Sequence, residues 1–237
     1  MAIVEREHHY RDGETGLVGW LARDDAARSP APGVLVAHTW AGRGAFEQSK
    51  ARSLAELGYV GLALDLYGGG KLGSGPEENR SLMQPFVDDR QLLRRRMLAA
   101  VEAVRGADGV DPERIAAIGF CFGGLCVLEL ARSGADVRGV VSFHGLLTPP
   151  PEPASRVAAK VLVLNGADDP WVPAEHLAAF QREMSEADAD WQLHTYGGTV
   201  HAFTNPAANS PEAGALYSEV ADRRSWRALL AFLDETL

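Results

Sequence analysis

The chain has 237 residues, 46% of them hydrophobic and 23% charged, with a formal net charge of −9. That length supports one large domain with a substantial core, spanning 1–237, and leaves little for a second. The acidic balance disfavours nucleic acid and anionic membrane surfaces as partners, and no apolar run approaches the roughly 18 residues of a membrane helix.

Met1-Ala2-Ile3-Val4-Glu5-Arg6-Glu7 is charged and lacks the apolar core of a signal segment. Residues 3–10 and 15–23 alternate apolar and polar around Arg11-Asp12-Gly13-Glu14, which predicts an antiparallel hairpin at a sheet edge. After a polar loop, Gly33-Val34-Leu35-Val36-Ala37-His38 is a continuous apolar run, as in a strand covered on both faces. A glycine-bearing loop, Thr39 to Gly44, leads to an amphipathic helix over 45–57 that Gly58 ends. Tyr59 to Leu66 reads as another buried strand, and the glycine-rich stretch Gly68 to Pro76 as a mobile loop near the strand tops.

Residues 85–105 have the apolar spacing of one long helix, with Arg94-Arg95-Arg96 as a solvated face. Asp111-Pro112-Glu113 reads as a tight link into the strand that ends at Phe120. A helix follows that strand, then a strand over 137–143 and a proline-rich loop from Thr148 to Pro153. Lys160 to Leu164 is a further strand, 174–187 a helix, and Trp191 to Tyr196 the last strand. The C-terminal helix carries Trp226, Leu229, Leu230, Leu233 and Leu237 on one stripe. Strands alternating with helices imply an α/β fold: a mostly parallel central sheet flanked by helices, with the N-terminal antiparallel hairpin beside it.

The richest chemical signal is Gly119-Phe120-Cys121-Phe122-Gly123-Gly124, a Gly-x-Cys-x-Gly-Gly run between the strand and the helix. A sharp strand-to-helix turn there would hold Cys121 in a strained backbone conformation. Gly119 and Gly123 allow such a turn because they lack Cβ. The following helix N-terminus aims free N–H groups at the thiol and favours a thiolate. The partner cysteine, Cys126, lies five residues on and faces another side of the helix, so a mutual disulfide is not expected. Without a disulfide framework, the expected setting is cytoplasmic.

A thiol needs a base, and His201 follows Gly197-Gly198 in a loop just past the last strand. Asp168 and Asp169 compete as the acid that orients the imidazole; Asp169 precedes Pro170, which restrains it, and it is preferred partly because the α/β-hydrolase pattern implies it. The order nucleophile–acid–base, each just past a strand end, is that of α/β-hydrolases. The oxyanion donors expected on that pattern are the backbone N–H groups of Phe122 and Trp40. The side chains of Trp40, Phe122, Tyr67 and Trp171 are candidate walls of an apolar pocket. His38 and His144, at strand ends, are placed to line the pocket, though a packing or supporting role is favoured for each, and Thr39 and Asn205 are further pocket candidates.

With Asp65-Leu66-Tyr67-Gly68, the cysteine elbow, the Asp169 segment and Val200-His201-Ala202-Phe203, the chain resembles the dienelactone hydrolase family from about residue 10 onward. The resemblance implies an α/β-hydrolase fold, a Cys121–His201–Asp169 triad and cleavage of a small-molecule ester or lactone through a thioester. It also implies no metal or other cofactor, and a monomer or homodimer. Two positions depart from the family pattern. Thr39 stands where the family has a glutamate that partners the resting cysteine, and Asn205 where it has an arginine for the substrate carboxylate. Acidic lactones are therefore not the expected substrates, and Cys121 is expected to rest as a thiolate paired with His201. Thioester or small-amide hydrolysis on the same triad is the neighbouring alternative. A non-catalytic binding or redox-sensing protein is the alternative of another class.

Overall fold

Ten-residue strands β1 (Ile3–Asp12) and β2 (Thr15–Asp24) pair antiparallel along their whole length, from Ile3 opposite Asp24 to Asp12 opposite Thr15, in the computed structural model that describes residues 2–27 and 29–237. Gly13 turns the chain with φ 57°, a conformation open to glycine at little cost. The chain divides into two compact units, Met1–Ile118 and Gly119–Leu237. Its central sheet is mostly parallel and flanked by helices, as the alternating pattern predicts.

In the first unit, β3 (Ala31–Ala37), α1 (Ala45–Glu56) and β4 (Val60–Ala63) follow the hairpin. β4 is shorter than the expected 59–66: Leu64 N–H still bonds the Val36 carbonyl, and the chain then enters the Asp65 loop. The strands lie in the order β1-β2-β4-β3, with β5 (Val110–Phe120) beside β3; β4 is antiparallel to β2 and parallel to β3. The buried Asp65 carboxylate accepts the N–H groups of Val18, Tyr67, Gly68 and Gly70, so the stretch expected to be mobile is fastened at its start.

The single helix expected over 85–105 is two: α2 (Pro76–Asp88) and α3 (Arg90–Arg105). Asp89 separates them, with extended backbone (φ −114°, ψ 92°) and a side chain that accepts from the N–H groups of Gln91 and Leu92. That is an N-cap, and the apolar spacing runs through it without a mark. Arg94-Arg95-Arg96, expected as a solvated face, is not uniformly solvated. Arg96 is buried, ion-paired to Asp12 at 3.0 Å and bonded to Thr15, so it ties α3 to the hairpin tip; Arg95 beside it is exposed. The last strand of this unit, β5 (Val110–Phe120), already includes Asp111-Pro112-Glu113, which the sequence marks as a link.

The second unit begins as β5 ends. α4 (Phe122–Arg132) follows at once, then β6 (Gly139–Phe143), β7 (Lys160–Gly166), α5 (Ala174–Glu186) and β8 (Trp191–Tyr196). β6, β7 and β8 are parallel neighbours in that order. α4 is buried all round. Its Arg132 bonds both Glu129 and Glu183, which anchors α4 to α5 with a compensated buried charge group. The segment before α6 (Glu219–Thr236) holds a small hairpin, β9 (Asn209–Ser210) and β10 (Ala215–Leu216), around a 3₁₀ turn. Two-residue strands leave no alternating pattern to read. Among the described residues, no helix is long and apolar enough to cross a membrane.

Candidate active site

Cys121 is the N-cap of α4, with φ 56° and ψ −117°. Positive φ is costly for a residue with a side chain, so the surroundings must hold it. They do so by close packing at glycine. A Cβ on Gly119 would meet the Gly123 carbonyl oxygen at 2.0 Å, and one on Gly124 would meet the Gly145 Cα at 2.5 Å. The Cys121 carbonyl accepts the Gly124 N–H at 3.0 Å. The Cys121 N–H reaches both the Phe143 carbonyl (3.0 Å) and Nδ1 of His144 (3.2 Å). Phe122 is the first residue of α4, where helical geometry leaves the N–H without an intrahelical acceptor. Cys121 and Cys126 are both buried and are not joined by a disulfide.

The loops after β7 and β8 are stitched together by backbone bonds: Ala167 N–H to the Tyr196 carbonyl (2.9 Å) and Asp168 N–H to the Thr199 carbonyl (3.0 Å). Gly166 permits this approach, since a Cβ there would lie 2.4 Å from the Thr199 oxygen. The result sets Asp169 against His201: His201 Nδ1–H donates to Asp169 Oδ2 at 2.8 Å, with both side chains buried. Asp169 Oδ1 accepts the Trp171 N–H at 2.9 Å, so both carboxylate oxygens are engaged and the rotamer is held. Asp168, the competing candidate, is exposed. A third segment closes over the histidine, with His201 N–H donating to the Gly214 carbonyl and Leu216 N–H to the His201 carbonyl. Gly214, at φ 71°, packs on Pro170.

Because Nδ1 carries the proton shared with Asp169, Nε2 is the atom that can exchange a proton with Cys121. It is buried, with Cys121 beside it. Burial by itself would push the His201 pKa down. The negative charge of Cys121, followed by the hydrogen bond to Asp169, outweighs that and lifts it to about 9. An imidazolium beside a thiolate is the arrangement in which a cysteine attacks an acyl carbon and a histidine moves protons.

The remaining sequence candidates divide. Trp171 lies with its ring centroid 4.2 Å from that of His201 and stays 41% exposed. His144 is buried at 1% exposure, and its Nε2 lies 2.8 Å from the Thr204 hydroxyl. Asn205 caps its own turn, its side-chain oxygen accepting the Ala207 N–H. Thr39, Trp40, Tyr67 and His38 belong to the first unit. There the Tyr67 hydroxyl donates to the Trp40 carbonyl at 2.9 Å, and the His38 ring stacks edge-on with Tyr67. The Thr39 N–H is held by the buried carboxylate of Glu47, which also accepts the Gly44 N–H. Glu47 and Thr204 escaped sequence reading. The Gly44-x-x-Glu47 spacing of a capping box was the available signal for the first, and nothing local marks the second. Among the described residues, no three His, Cys, Asp or Glu side chains gather as a metal would require.

Against known proteins, the model of the dienelactone hydrolase family matches residues 17–237. The solved structure of a dienelactone hydrolase-like promiscuous phosphotriesterase from metagenomic libraries is 38% identical, with a TM-score of 0.96 over 100% of this chain and 99% of that one. A second solved structure, m3DLH, is 41% identical with a TM-score of 0.96 over 100% of both chains. A protein of Bradyrhizobium sp named "Probable 2-oxo-3-(5-oxofuran-2-ylidene)propanoate lactonase" is 29% identical over 94% of this chain and 90% of its own.

Proposed function

From a chain that belongs to the dienelactone hydrolase family, we propose a hydrolase of carboxylic esters or lactones in which Cys121 is the nucleophile, His201 the acid and base, and Asp169 its orienting partner. The observation that carries this reading is the buried Asp169–His201 bond at 2.8 Å, with the His201 pKa lifted by the charge of Cys121 next to it.

The thiolate of Cys121 attacks the acyl carbon; a C–S bond forms and the carbonyl electrons move onto oxygen. The Phe122 N–H, at the positive end of α4, is a donor for that oxyanion. The tetrahedral species collapses, the C–O bond to the leaving group breaks, and the alkoxide takes the proton from His201 Nε2. What remains is a thioester on Cys121. Its formation removes the thiolate charge, the strongest influence raising the His201 pKa, and burial then favours neutral imidazole. Neutral His201 takes a proton from water; the hydroxide adds to the thioester, and Cys121 leaves as thiolate. The same pair thus serves as acid in the first half and base in the second.

Thr39 and Asn205, in place of the family's glutamate and arginine, favour neutral acyl substrates over carboxylate-bearing lactones. Likeness to a phosphotriesterase at 38% identity favours a second reading, attack of the same thiolate on the phosphorus of neutral triesters. One panel tests both: p-nitrophenyl esters, lactones with and without a carboxylate, and a p-nitrophenyl phosphotriester, each with wild type and Cys121→Ala. Turnover of neutral esters or lactones that Cys121→Ala abolishes is expected. Activity equal in both proteins, or absent from both, would sink the cysteine mechanism.

A further inference from the structure

Among the described residues, four non-glycine residues have positive φ: Cys121 (56°), His144 (37°), Asp188 (51°) and Ala202 (57°). Three of these belong to the site: the nucleophile, the residue bonded to its backbone, and the residue after His201. Strain gathered in this way calls for a holding device. The ring of His144 touches each part. Its Nδ1 faces the Cys121 N–H at 3.2 Å, its Nε2 lies 2.8 Å from the Thr204 hydroxyl, and its ring meets that of His201 edge-on with centroids 5.0 Å apart. Phe203 packs on it edge-on as well, at 5.1 Å.

These contacts determine the state of the ring. An N–H donor at Nδ1 requires a lone pair there, so the ring proton resides on Nε2 and is donated to Thr204. The neutral ring is then a bridge with one acceptor and one donor. It connects the turn that bears the nucleophile with the Ala202–Thr204 turn that follows His201. Thr204 and His144 are both buried, which shields the bridge from competing water.

Resting on the cysteine-hydrolase reading above, we propose that His144 is a positioning residue that sets the separation and alignment of Cys121 and His201 by linking the Cys121 N–H to Thr204. It touches no substrate. Its contribution is to hold two strained turns in register, so its loss should slow chemistry and leave ground-state binding alone.

The test compares His144→Phe, His144→Asn and Thr204→Val with wild type. Phenylalanine keeps the ring packing and removes both polar atoms. Asparagine places an amide oxygen close to where Nδ1 was, and it tolerates positive φ. Thr204→Val leaves position 144 untouched and removes only the far end of the bridge. The readouts are kcat and KM on a p-nitrophenyl ester, the rate of Cys121 alkylation by iodoacetamide, and thermal unfolding. His144→Phe is expected to lower kcat and the alkylation rate about 10–100-fold with KM within about twofold, His144→Asn to recover most of both, and Thr204→Val to lower kcat severalfold. A His144→Phe protein with wild-type kcat and alkylation would overturn the proposal, as would an asparagine variant no better than phenylalanine. Should the phenylalanine protein unfold early, wild-type rates in Thr204→Val overturn it equally. A wild type inert toward esters would count against the hydrolase reading alone, because alkylation still reports how Cys121 and His201 are placed.

Discussion

Oδ2 of Asp169 accepts the Nδ1 proton of His201 at 2.8 Å, and neither side chain is open to solvent. A buried carboxylate in this position fixes the imidazole tautomer and stabilises its charged form. Asp169→Asn keeps the shape but can present an amide N–H to Nδ1, which favours the wrong tautomer. We expect kcat on a p-nitrophenyl ester to fall by about 10²–10⁴-fold with little change in KM. Asp168→Asn, at an exposed position, should remain within about twofold in the same assay.

The His201 pKa of about 9 depends on the neighbouring negative sulfur as well as on Asp169. Burial acts in the opposite direction. Removing the sulfur in Cys121→Ala therefore leaves burial opposed by Asp169 alone, and the midpoint should move down. An NMR titration of the His201 Cε1 proton in wild type and Cys121→Ala measures this. Equal midpoints in the two proteins would contradict the thiolate–imidazolium pair.

Gly166 sits where the loops after β7 and β8 meet, and a Cβ there would fall 2.4 Å from one backbone oxygen and 2.9 Å from another. Neither is the end of a flexible side chain, so the backbone must shift. Gly166→Ala should cost about 3 kcal/mol in urea unfolding. It should also lower kcat more than any loss of folded protein explains, because the displaced loops carry Asp169 and His201.

His38 is held neutral in the first unit. Burial lowers its pKa, against the charge of Glu47 and the Thr39 carbonyl, which favour the charged form. Its Nδ1–H donates to the Thr39 carbonyl at 2.6 Å while Nε2 accepts the Leu66 N–H, so both nitrogens are committed in the neutral ring. The folded pKa lies below the unfolded 6.5, and the unfolded chain therefore takes up the proton first as pH falls. Stability from this group is complete above about pH 6.5 and declines below it. Urea midpoints measured from pH 7.5 to 5 should fall less steeply in His38→Gln than in wild type; parallel curves would remove His38 from the account.

Local sequence determined whatever depends on neighbours along the chain. The period-two alternation of residues 3–10 and 15–23 and the glycine at position 13 specify the hairpin. Gly119 specifies a strand-to-helix turn before Cys121, because the clash it avoids, with the Gly123 carbonyl oxygen, lies four residues away. The proposed nucleophile could be named from that alone. Other features depend on segments distant in the chain. Asp168 and Asp169 are neighbours of equal chemistry, and a turn stitched to the Thr199 loop buries the second and exposes the first. Arg96 looks like its exposed neighbour Arg95 until the hairpin tip supplies Asp12 and Thr15. The sequence marks His144 only by its place at a strand end; its ring becomes a bridge once Cys121 and Thr204, 23 and 60 residues away, reach its two nitrogens. Propensity and periodicity act over a turn or two of chain. Burial, tautomer and charge state are decided by what packs around a side chain, and only the tertiary structure brings those groups together.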